Sequence, residues 1–229
     1  MILSHRHRFI FIKTLKTGGT SVELSLSRYC GATDVLTPIA PEDEAIRADL
    51  GCAPRNFERS AAPYRWRRAE LGQLRHGRWP HRMIYWNHIT AAEIKSRSPV
   101  EWESYLKFSI VRNPWDAFVS EYFWEQDATG QKMTVDEAMK RFDLAHNWNS
   151  YTINDDIAMD FMCRYESLRV DLGTVTEKIG IPFDGWLPYA KANTGRNGAS
   201  IREVLESRHI KIISERCAKE IETFGYEEP

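Results

Sequence analysis

The sequence predicts an α/β fold in three layers, in which helices flank a mostly parallel central sheet. Two observations carry this prediction. Short apolar runs alternate with helical patterns along the 229 residues, and polar turns directly follow several of these runs. In a parallel sheet such turns gather at the carboxyl ends of the strands, where ligands bind. We expect one domain over residues 1–229.

The strands are predicted from short runs rich in β-branched and aromatic residues that end at turn signals. They cover residues 8–12, 83–86, 105–111 and 159–165. Helices are predicted from capping patterns, from a proline in a first turn and from apolar spacing. They cover residues 21–29, about 41–50, a segment that begins near Thr90, 114–126, 134–142, a segment that ends near Gly180, and about 210–224.

Residues 31–80 are expected to leave the sheet as a long excursion. The segment contains five prolines, many charges and the basic-aromatic run 64–68, Tyr-Arg-Trp-Arg-Arg. Loops of this length within a compact domain are usually functional or disordered. A ligand-binding segment and a surface lid with solvated charges both fit this composition.

The composition excludes several classes of partner. The formal net charge of −1 gives no general reason to expect nucleic acid or an anionic membrane surface. No apolar run approaches the ~20 residues of a membrane span, and the first apolar run is too short for a signal peptide. We expect a cytoplasmic protein, although a chain trimmed of an anchor would show the same composition.

The four cysteines are expected to be reduced structural residues. They are Cys30, Cys52, Cys163 and Cys217. They form no CxxC pair, and no cluster of histidine and cysteine has the spacing of a zinc site. No metal site is therefore predicted.

A strand, a turn and a helix near the start of the chain have the layout of a phosphate-binding loop, so we expect the fold to be P-loop-like. The turn, here called the KTGGTS loop, consists of Lys16, Thr17, Gly18, Gly19, Thr20 and Ser21. Its glycine pair lets the backbone turn sharply and point N–H groups at a ligand. The following helix N-terminus adds unpaired donors and a positive dipole end. Because glycine pairs beside a lysine also occur in ordinary turns, this loop alone is a weak indication.

The second candidate site is Arg112, which is expected at the end of the third predicted strand, before an Asn-Pro turn and a helix. Ser120 lies about two helical turns further on. The guanidinium group and the hydroxyl could together hold a phosphate. The alternative is that Arg112 forms an ion pair with Asp116 and stabilises the turn.

With both motifs in this order, the sequence resembles the sulfotransferase superfamily, and within it the Golgi-type carbohydrate sulfotransferases and their bacterial relatives. The KTGGTS loop resembles the family's 5′-phosphosulfate loop, and the segment from Arg112 to Ser120 resembles its 3′-phosphate motif. Residues 163–168, Cys-Arg-Tyr-Glu-Ser-Leu, resemble a segment after a later core strand. The resemblance is weakest in residues 31–80. It departs at Leu15, where proline is usual, which changes the rigidity of the loop but not its charge.

The resemblance implies an enzyme that moves a sulfuryl group from 3′-phosphoadenosine 5′-phosphosulfate (PAPS) to an acceptor hydroxyl by in-line displacement, leaving the nucleotide PAP. Lys16 would neutralise the charge that builds on the leaving phosphate. No metal is expected, because sulfuryl transfer needs none. The acceptor is expected to be a glycan or a small-molecule alcohol, with residues 31–80 on the substrate side.

A histidine suits the role of the base that takes the acceptor proton at neutral pH. Of the seven histidines, only His88 directly follows a predicted core strand and precedes a helix cap. Residues 85–88 also resemble the family position that supplies a histidine base in some carbohydrate sulfotransferases. We therefore expect His88 to be the base. The alternatives are a histidine that only packs at the strand end, and a carboxylate base among Glu42, Asp43 and Glu44.

Two further contributions to nucleotide binding are less specific. Arg196 lies in the basic segment 191–198, which resembles a glycine loop that holds the 3′-phosphate in many sulfotransferases, and a solvated loop is an equal alternative. Trp79, Trp86 and Trp115 are candidates for stacking on adenine, although each could instead pack in the core.

Two other functions are compatible with parts of the pattern. A metal-dependent P-loop nucleotide kinase would need a lysine after the glycines, as in GxxxxGK[ST], and residues 18–21 contain none. A non-catalytic nucleotide-binding protein would not need Lys16, Arg112, Ser120 and a base together.

Overall fold

A computed structural model describes residues 1–60, 81–188, 196 and 198–229. The strands are β1 (Ile2–Ser4), β2 (Phe9–Phe11), β3 (Val35–Leu36), β4 (Glu58–Ser60), β5 (His81–Met83), β6 (Leu106–Val111), β7 (Thr152–Ile153), β8 (Asp156–Ile157) and β9 (Phe161–Arg164). The helices are α1 (Gly19–Ser27), α2 (Pro41–Asp49), α3 (Ala91–Arg97), α4 (Pro99–Ser104), α5 (Pro114–Thr129), α6 (Val135–Arg141), α7 (His146–Tyr151), α8 (Leu168–Lys178), α9 (Ile201–Val204), α10 (Ser207–Arg216) and α11 (Ala218–Phe224).

The central sheet has the strand order β3-β1-β2-β6-β9. The pairs β2–β6 and β6–β9 are parallel, whereas β1 is antiparallel to both β2 and β3. The sheet is therefore mixed, and the predicted parallel arrangement holds for the three strands β2, β6 and β9. The antiparallel part follows from a short connection, because only four residues separate the end of β1 from the start of β2.

Helices cover both faces of this sheet. Phe9 and Phe11 of β2 face a buried cluster that includes residues of α1 and α8. The alternate residues Ile10 and Ile12 face a second buried cluster that includes residues of α3 and α4. This alternation is the period of a strand with two buried faces. It confirms the predicted arrangement of a sheet between two helical layers.

A third buried cluster joins the C-terminal helices to α5. Its large members include Trp115 and Phe118 of α5, Met139 of α6, and Ile210 and Ile213 of α10. The indole N–H of Trp115 donates to the Ile210 carbonyl at 3.1 Å. This packing fixes α5, which leads away from the end of β6.

The predicted strand over residues 83–86 is wrong. The strand β5 ends at Met83 and pairs with β4, in a two-stranded sheet separate from the central one. The N–H groups of Ile84 and Tyr85 both donate to the carbonyl of Phe57, so the chain turns out of the strand there. Tyr85 is buried in the second cluster, which explains why this run is apolar although it is not a core strand.

Two strands of the central sheet escaped prediction. β1 and β3 have three and two residues, which is too short for a periodic signal. β3 lies inside the segment expected to leave the sheet, and Arg55 extends its edge through backbone hydrogen bonds with Leu36. The predicted helix over 210–224 is two helices, separated at Cys217. Among the described residues, no helix has the length and apolar composition that a bilayer crossing requires.

Candidate active site

The KTGGTS loop follows β2 and contains two left-handed residues. Lys16 has φ 59° and Gly18 has φ 76°. Glycine adopts this region without cost, but a lysine there must be held by its surroundings. A Cβ at Gly19 would lie 2.7 Å from Cγ of Lys13, so a larger residue would collide with the lysine beneath. The two glycines therefore serve a tight turn and a close approach.

A cavity of about 760 Å³ opens at the carboxyl ends of the three parallel strands. Lys13, Arg112 and Tyr165 line it and follow closely after β2, β6 and β9. Further walls come from α2, from residues 87–88, from α5 and from α8. This is the position at which open α/β sheets bind ligands.

Most of the predicted site residues meet in this cavity. Those that line it are Lys16, Gly18, Gly19, Thr20, Ser21, His88, Arg112 and Ser120. Thr17 is not among the lining residues, because its side chain is buried and its hydroxyl is 2.8 Å from that of Thr14. Arg196 also does not line the cavity, but it forms an ion pair with Asp116, which in turn pairs with the lining residue Arg112.

Lys16 lies against the helix α5. Its ammonium nitrogen is 4.6 Å from the centroid of a Trp124 ring, which is cation–π geometry. Glu121, one turn earlier on the same helix, also lines the cavity. Burial raises the pKa of Glu121, and the positive charge of Lys16 offsets part of that rise. Lysine, carboxylate and indole thus form one corner of the cavity.

Arg112 is held by three protein groups. Its Nε and Nη2 contact Oδ2 of Asp116 at 2.7 and 2.6 Å, and its Nη1 donates to the Lys16 carbonyl. Its guanidinium carbon also lies 3.9 Å from the centroid of the Tyr165 ring. The ion pair left open as an alternative therefore exists. Because a guanidinium has five N–H groups, these contacts still leave it capacity toward the cavity.

Asp116 joins two arginines. Its other oxygen, Oδ1, pairs with Nη1 of Arg196 at 2.7 Å. Burial alone would raise the pKa of Asp116, but Arg112 and Arg196 outweigh it and lower the pKa. The two cations predicted for the 3′-phosphate thus lie on either side of one carboxylate. Residues 191–195 and 197 of the predicted glycine loop lie outside the described residues.

His88 reaches the cavity from a turn rather than from a core strand end. Its Nδ1 is 3.1 Å from the carbonyl oxygen of Lys13. A carbonyl oxygen only accepts, so Nδ1 carries a proton, and in a neutral ring Nε2 keeps its lone pair. Burial, with a further contribution from the Lys13 charge, lowers the pKa of His88 to about 4. The imidazole is therefore neutral at pH 7.

A buried ion pair supports the floor of the cavity. Nζ of Lys13 is 2.7 Å from Oε2 of Glu23, and both side chains are almost fully buried. Burial alone would raise the pKa of Glu23, but the cations around it, Lys13 first, lower the pKa. Removing one partner would leave a buried charge unpaired, which is strongly destabilising. This pair holds the lysine under Gly19 and so fixes the base of the loop.

The structure ranks the three carboxylates proposed as alternative bases. Asp43 is buried and lines the cavity. Glu44 instead accepts hydrogen bonds from the Ile39 N–H and from Arg47, and Glu42 is exposed. Asp43 is the carboxylate of this segment that a ligand in the cavity would meet.

Several lining residues were not found from the sequence. Glu121 and Trp124 follow Ser120 on α5 at spacings of one and four residues. Because residues four apart lie on the same face of a helix, Trp124 could have been predicted from Ser120. Another part of the wall comes from the segment 163–168, which the sequence did single out, and from later residues that no motif marked. Its apolar members are Tyr165, Leu168, Val170, Leu187 and Pro188, and they lie beside the polar residues Glu166, Ser167 and Arg169.

Two of the three tryptophans proposed for adenine stacking do not line the cavity. Trp115 is 1% exposed and packs in the third cluster. The ring of Trp86 is covered by the guanidinium of Arg97 at 4.7 Å. Trp79 and the basic-aromatic run 64–68 lie outside the described residues.

Fold and site together define an α/β protein that gathers cations and helix-terminal N–H groups around a cavity at the carboxyl edge of its sheet. Residues 1–228 match a family model described as sulfotransferase family. The chain belongs to the sulfotransferase family, and this membership supports sulfotransfer as its activity. Searches of curated proteins and of solved structures found no match.

Proposed function

We propose that this protein transfers a sulfuryl group from PAPS to an acceptor hydroxyl by in-line displacement. The observation that carries the proposal is the meeting of Lys16, His88, Arg112 and Ser120 in one cavity of a chain that belongs to the sulfotransferase family. None of these residues is close in sequence to all the others, so their convergence comes from the fold.

The cavity suits the donor at both of its anionic ends. The 5′-phosphosulfate would lie on the KTGGTS loop, where Gly18 and Gly19 leave room for an anion beside the N-terminus of α1. The 3′-phosphate would lie near Arg112 and Ser120, with Arg196 close behind through Asp116. The apolar side chains that line the cavity near Leu168 would receive the adenine.

The donor supplies an activated sulfuryl group whose leaving group is the 5′-phosphate of PAP. Lys16 places a full positive charge beside the loop, where it would neutralise negative charge that develops on the leaving phosphate. Its contact with Trp124 holds the ammonium at the cavity wall. Because the interaction is strongest when that charge has formed, it lowers the barrier and not only the dissociation constant.

His88 would take the proton of the acceptor hydroxyl. The Lys13 carbonyl fixes the tautomer, so Nε2 is the basic nitrogen of this side chain. A pKa of about 4 makes the free imidazole a weak base, but keeps it unprotonated over the physiological range. The pH profile of kcat/KM should therefore fall only as the pH drops toward 4. Asp43 is the alternative base.

The acceptor is proposed to be a glycan or a small-molecule alcohol, and the site of action the cytoplasm. Two carboxylates, Asp43 and Glu121, and the indole of Trp124 line the cavity away from the strand ends. Carboxylates accept hydrogen bonds from hydroxyls, and an indole face packs against a sugar ring. A metal-dependent kinase is not favoured, since the family match and the position of the lysine both oppose it.

A turnover assay with radiolabelled PAPS and a panel of glycans and small alcohols tests the proposal. Lys16→Ala should lower kcat strongly and also weaken PAP binding, because the lysine contacts the donor before reaction. His88→Ala should lower kcat by about 10²-fold or more and leave PAP binding nearly intact.

The control is circular dichroism of each variant. If His88→Ala keeps a normal kcat and the same pH profile, His88 is not the base, and Asp43→Asn becomes the decisive variant. If the wild type transfers no sulfuryl group to any acceptor although it binds PAP, the non-catalytic alternative is the better account.

A further inference from the structure

The residue directly before Lys16 is held by a side chain from a distant part of the chain. The Leu15 N–H donates to Oδ1 of Asn147 at 2.7 Å, and Nδ2 of Asn147 donates to the Leu15 carbonyl at 3.0 Å. The two residues are 132 positions apart. The amide pairs with both backbone groups of Leu15, as a neighbouring strand would.

The orientation of this amide follows from its partners. If the Asn147 amide were reversed, its NH₂ would face the Leu15 N–H and its oxygen would face the Leu15 carbonyl, so both contacts would be repulsive. Only the orientation described gives two hydrogen bonds. The contact is thus specific for a side chain with one acceptor and one donor.

The loop needs such a support. Lys16 has a left-handed backbone at φ 59°, which a non-glycine residue adopts only where its surroundings impose it. Position 15 is a leucine, whose φ is free, whereas a proline there would fix φ near −65°. We propose that Asn147 is a positioning residue that holds the backbone at Leu15 and thereby sets where the Lys16 ammonium lies.

The turn that carries Asn147 also contacts the predicted base. The ring of His146 packs edge-on against that of His88, with centroids 6.3 Å apart. The helix α7 itself is anchored from below, since Tyr151 is fully buried and its hydroxyl donates to Glu220. The first turn of α7 thus contacts both Leu15, which precedes the KTGGTS loop, and His88. In the proposed reaction the loop holds the donor and His88 serves the acceptor.

Only the effect on ligand binding rests on the proposed function, whereas the contact between Asn147 and Leu15 does not. The first test is therefore structural. Amide hydrogen exchange should show Leu15 protected in the wild type and exchanging at least ~10-fold faster in Asn147→Ala, because its acceptor is lost. Asn149→Ala is the matched control, since Asn149 is an exposed residue of the same type on α7. Unchanged protection of Leu15 in Asn147→Ala would overturn the inference.

The second test compares two ligands by calorimetry. In Asn147→Ala the dissociation constant of PAP should rise about tenfold, the size expected for lost hydrogen bonds that preorganise a loop. Adenosine 3′-monophosphate has no 5′-phosphate on the loop, so its binding should be nearly unchanged. Equal weakening of both ligands, or of neither, would show that Asn147 does not act on the loop.

The third test is rescue. Leu15→Pro removes the N–H group from which Asn147 accepts a hydrogen bond, and the proline ring then fixes φ at residue 15. Asn147→Ala should therefore weaken PAP binding less in that background than in the wild type. Equal costs would mean that Asn147 does not act through residue 15. If the wild type binds no PAP, the proposed function fails, whereas the exchange at Leu15 and along residues 16–21 still decides whether Asn147 holds the loop.

Discussion

Arg112 has two roles, and both depend on its contacts with neighbouring groups. It stabilises the turn through Asp116 and the Lys16 carbonyl, and it also lines the cavity. These roles are compatible, because an arginine that is already oriented by a carboxylate loses less freedom when it binds a phosphate. Asp116 is then the residue that orients both Arg112 and Arg196.

Arg112→Ala should weaken PAP binding by roughly 2–3 kcal/mol, because charge-assisted hydrogen bonds are the strong ones. Adenosine 5′-phosphosulfate lacks the 3′-phosphate, so its affinity should change far less. Calorimetry with both nucleotides measures the difference. Equal losses for the two would mean that Arg112 supports the loop and does not bind the 3′-phosphate.

The partly buried, neutral state of His88 predicts a pH dependence of stability. In the unfolded chain a histidine binds a proton below about 6.5, whereas folded His88 does so only near 4. The unfolded state therefore binds more protons between these values, and the free energy of unfolding falls as the pH drops from 6.5 to 4. The loss from this residue should reach up to roughly 3 kcal/mol.

Chemical denaturation of the wild type and of His88→Asn at several pH values isolates this contribution, since the carboxylates titrate in both proteins. The difference between the two stabilities should change over this window. A constant difference would show that His88 is not buried in its neutral form.

At the scale of elements, local signals predicted most of the helices. The capping boxes at Thr90 and Thr134 start α3 and α6, and Pro114 starts α5 after an Asn113 cap. These signals are local, because a cap and its partner lie within one turn. The strands β1 and β3 escaped because three and two residues are too few to show a strand pattern.

The difference between local signals and long-range contacts also explains which site residues could be predicted. The KTGGTS loop and the motif from Arg112 to Ser120 carry their chemistry in consecutive residues, so they could be predicted. Asn147 and Asp43 could not be singled out, because their roles depend on contacts with Leu15 and on which face of α2 meets the cavity. His88 was selected for a wrong reason, since no core strand precedes it, but it does line the cavity.

At the junction between the KTGGTS loop and α1, one added methyl group at Gly19 should lower stability. Gly19→Ala would place a Cβ 2.7 Å from Cγ of Lys13. The lysine cannot yield freely, because its ammonium is tied to Glu23 at 2.7 Å. The change should lower the melting temperature and the affinity for PAP, with a stability loss of about 1–3 kcal/mol from overpacking.

Gly173→Ala is the matched control. Gly173 lies within α8, and a Cβ there meets nothing within 4 Å among the described residues. Alanine should raise stability by roughly 0.5–1 kcal/mol at such a position. Thermal unfolding and PAP titration of both variants give the comparison. A Gly19→Ala protein as stable and as tight-binding as the wild type would contradict the close approach.

At the scale of the whole molecule, the fold brings the KTGGTS loop, Arg112 and a neutral histidine to one edge of a mixed sheet. Three parallel strands end there, and α5 and α8 form the walls. Because the formal net charge is only −1, any attraction for an anion must come from this local site. In the proposed function, a nucleotide with two anionic ends is recognised through the placement of these groups rather than through overall charge.

Calorimetric titration with PAP and with ATP, in a buffer containing a metal chelator, tests the central claim most directly. PAP should bind, and at ~100 times its dissociation constant it should stabilise the fold by about 2.7 kcal/mol, seen as a rise in melting temperature. ATP should bind far more weakly. No binding of PAP at millimolar concentration by a folded protein, or ATP binding that requires Mg²⁺, would contradict the account.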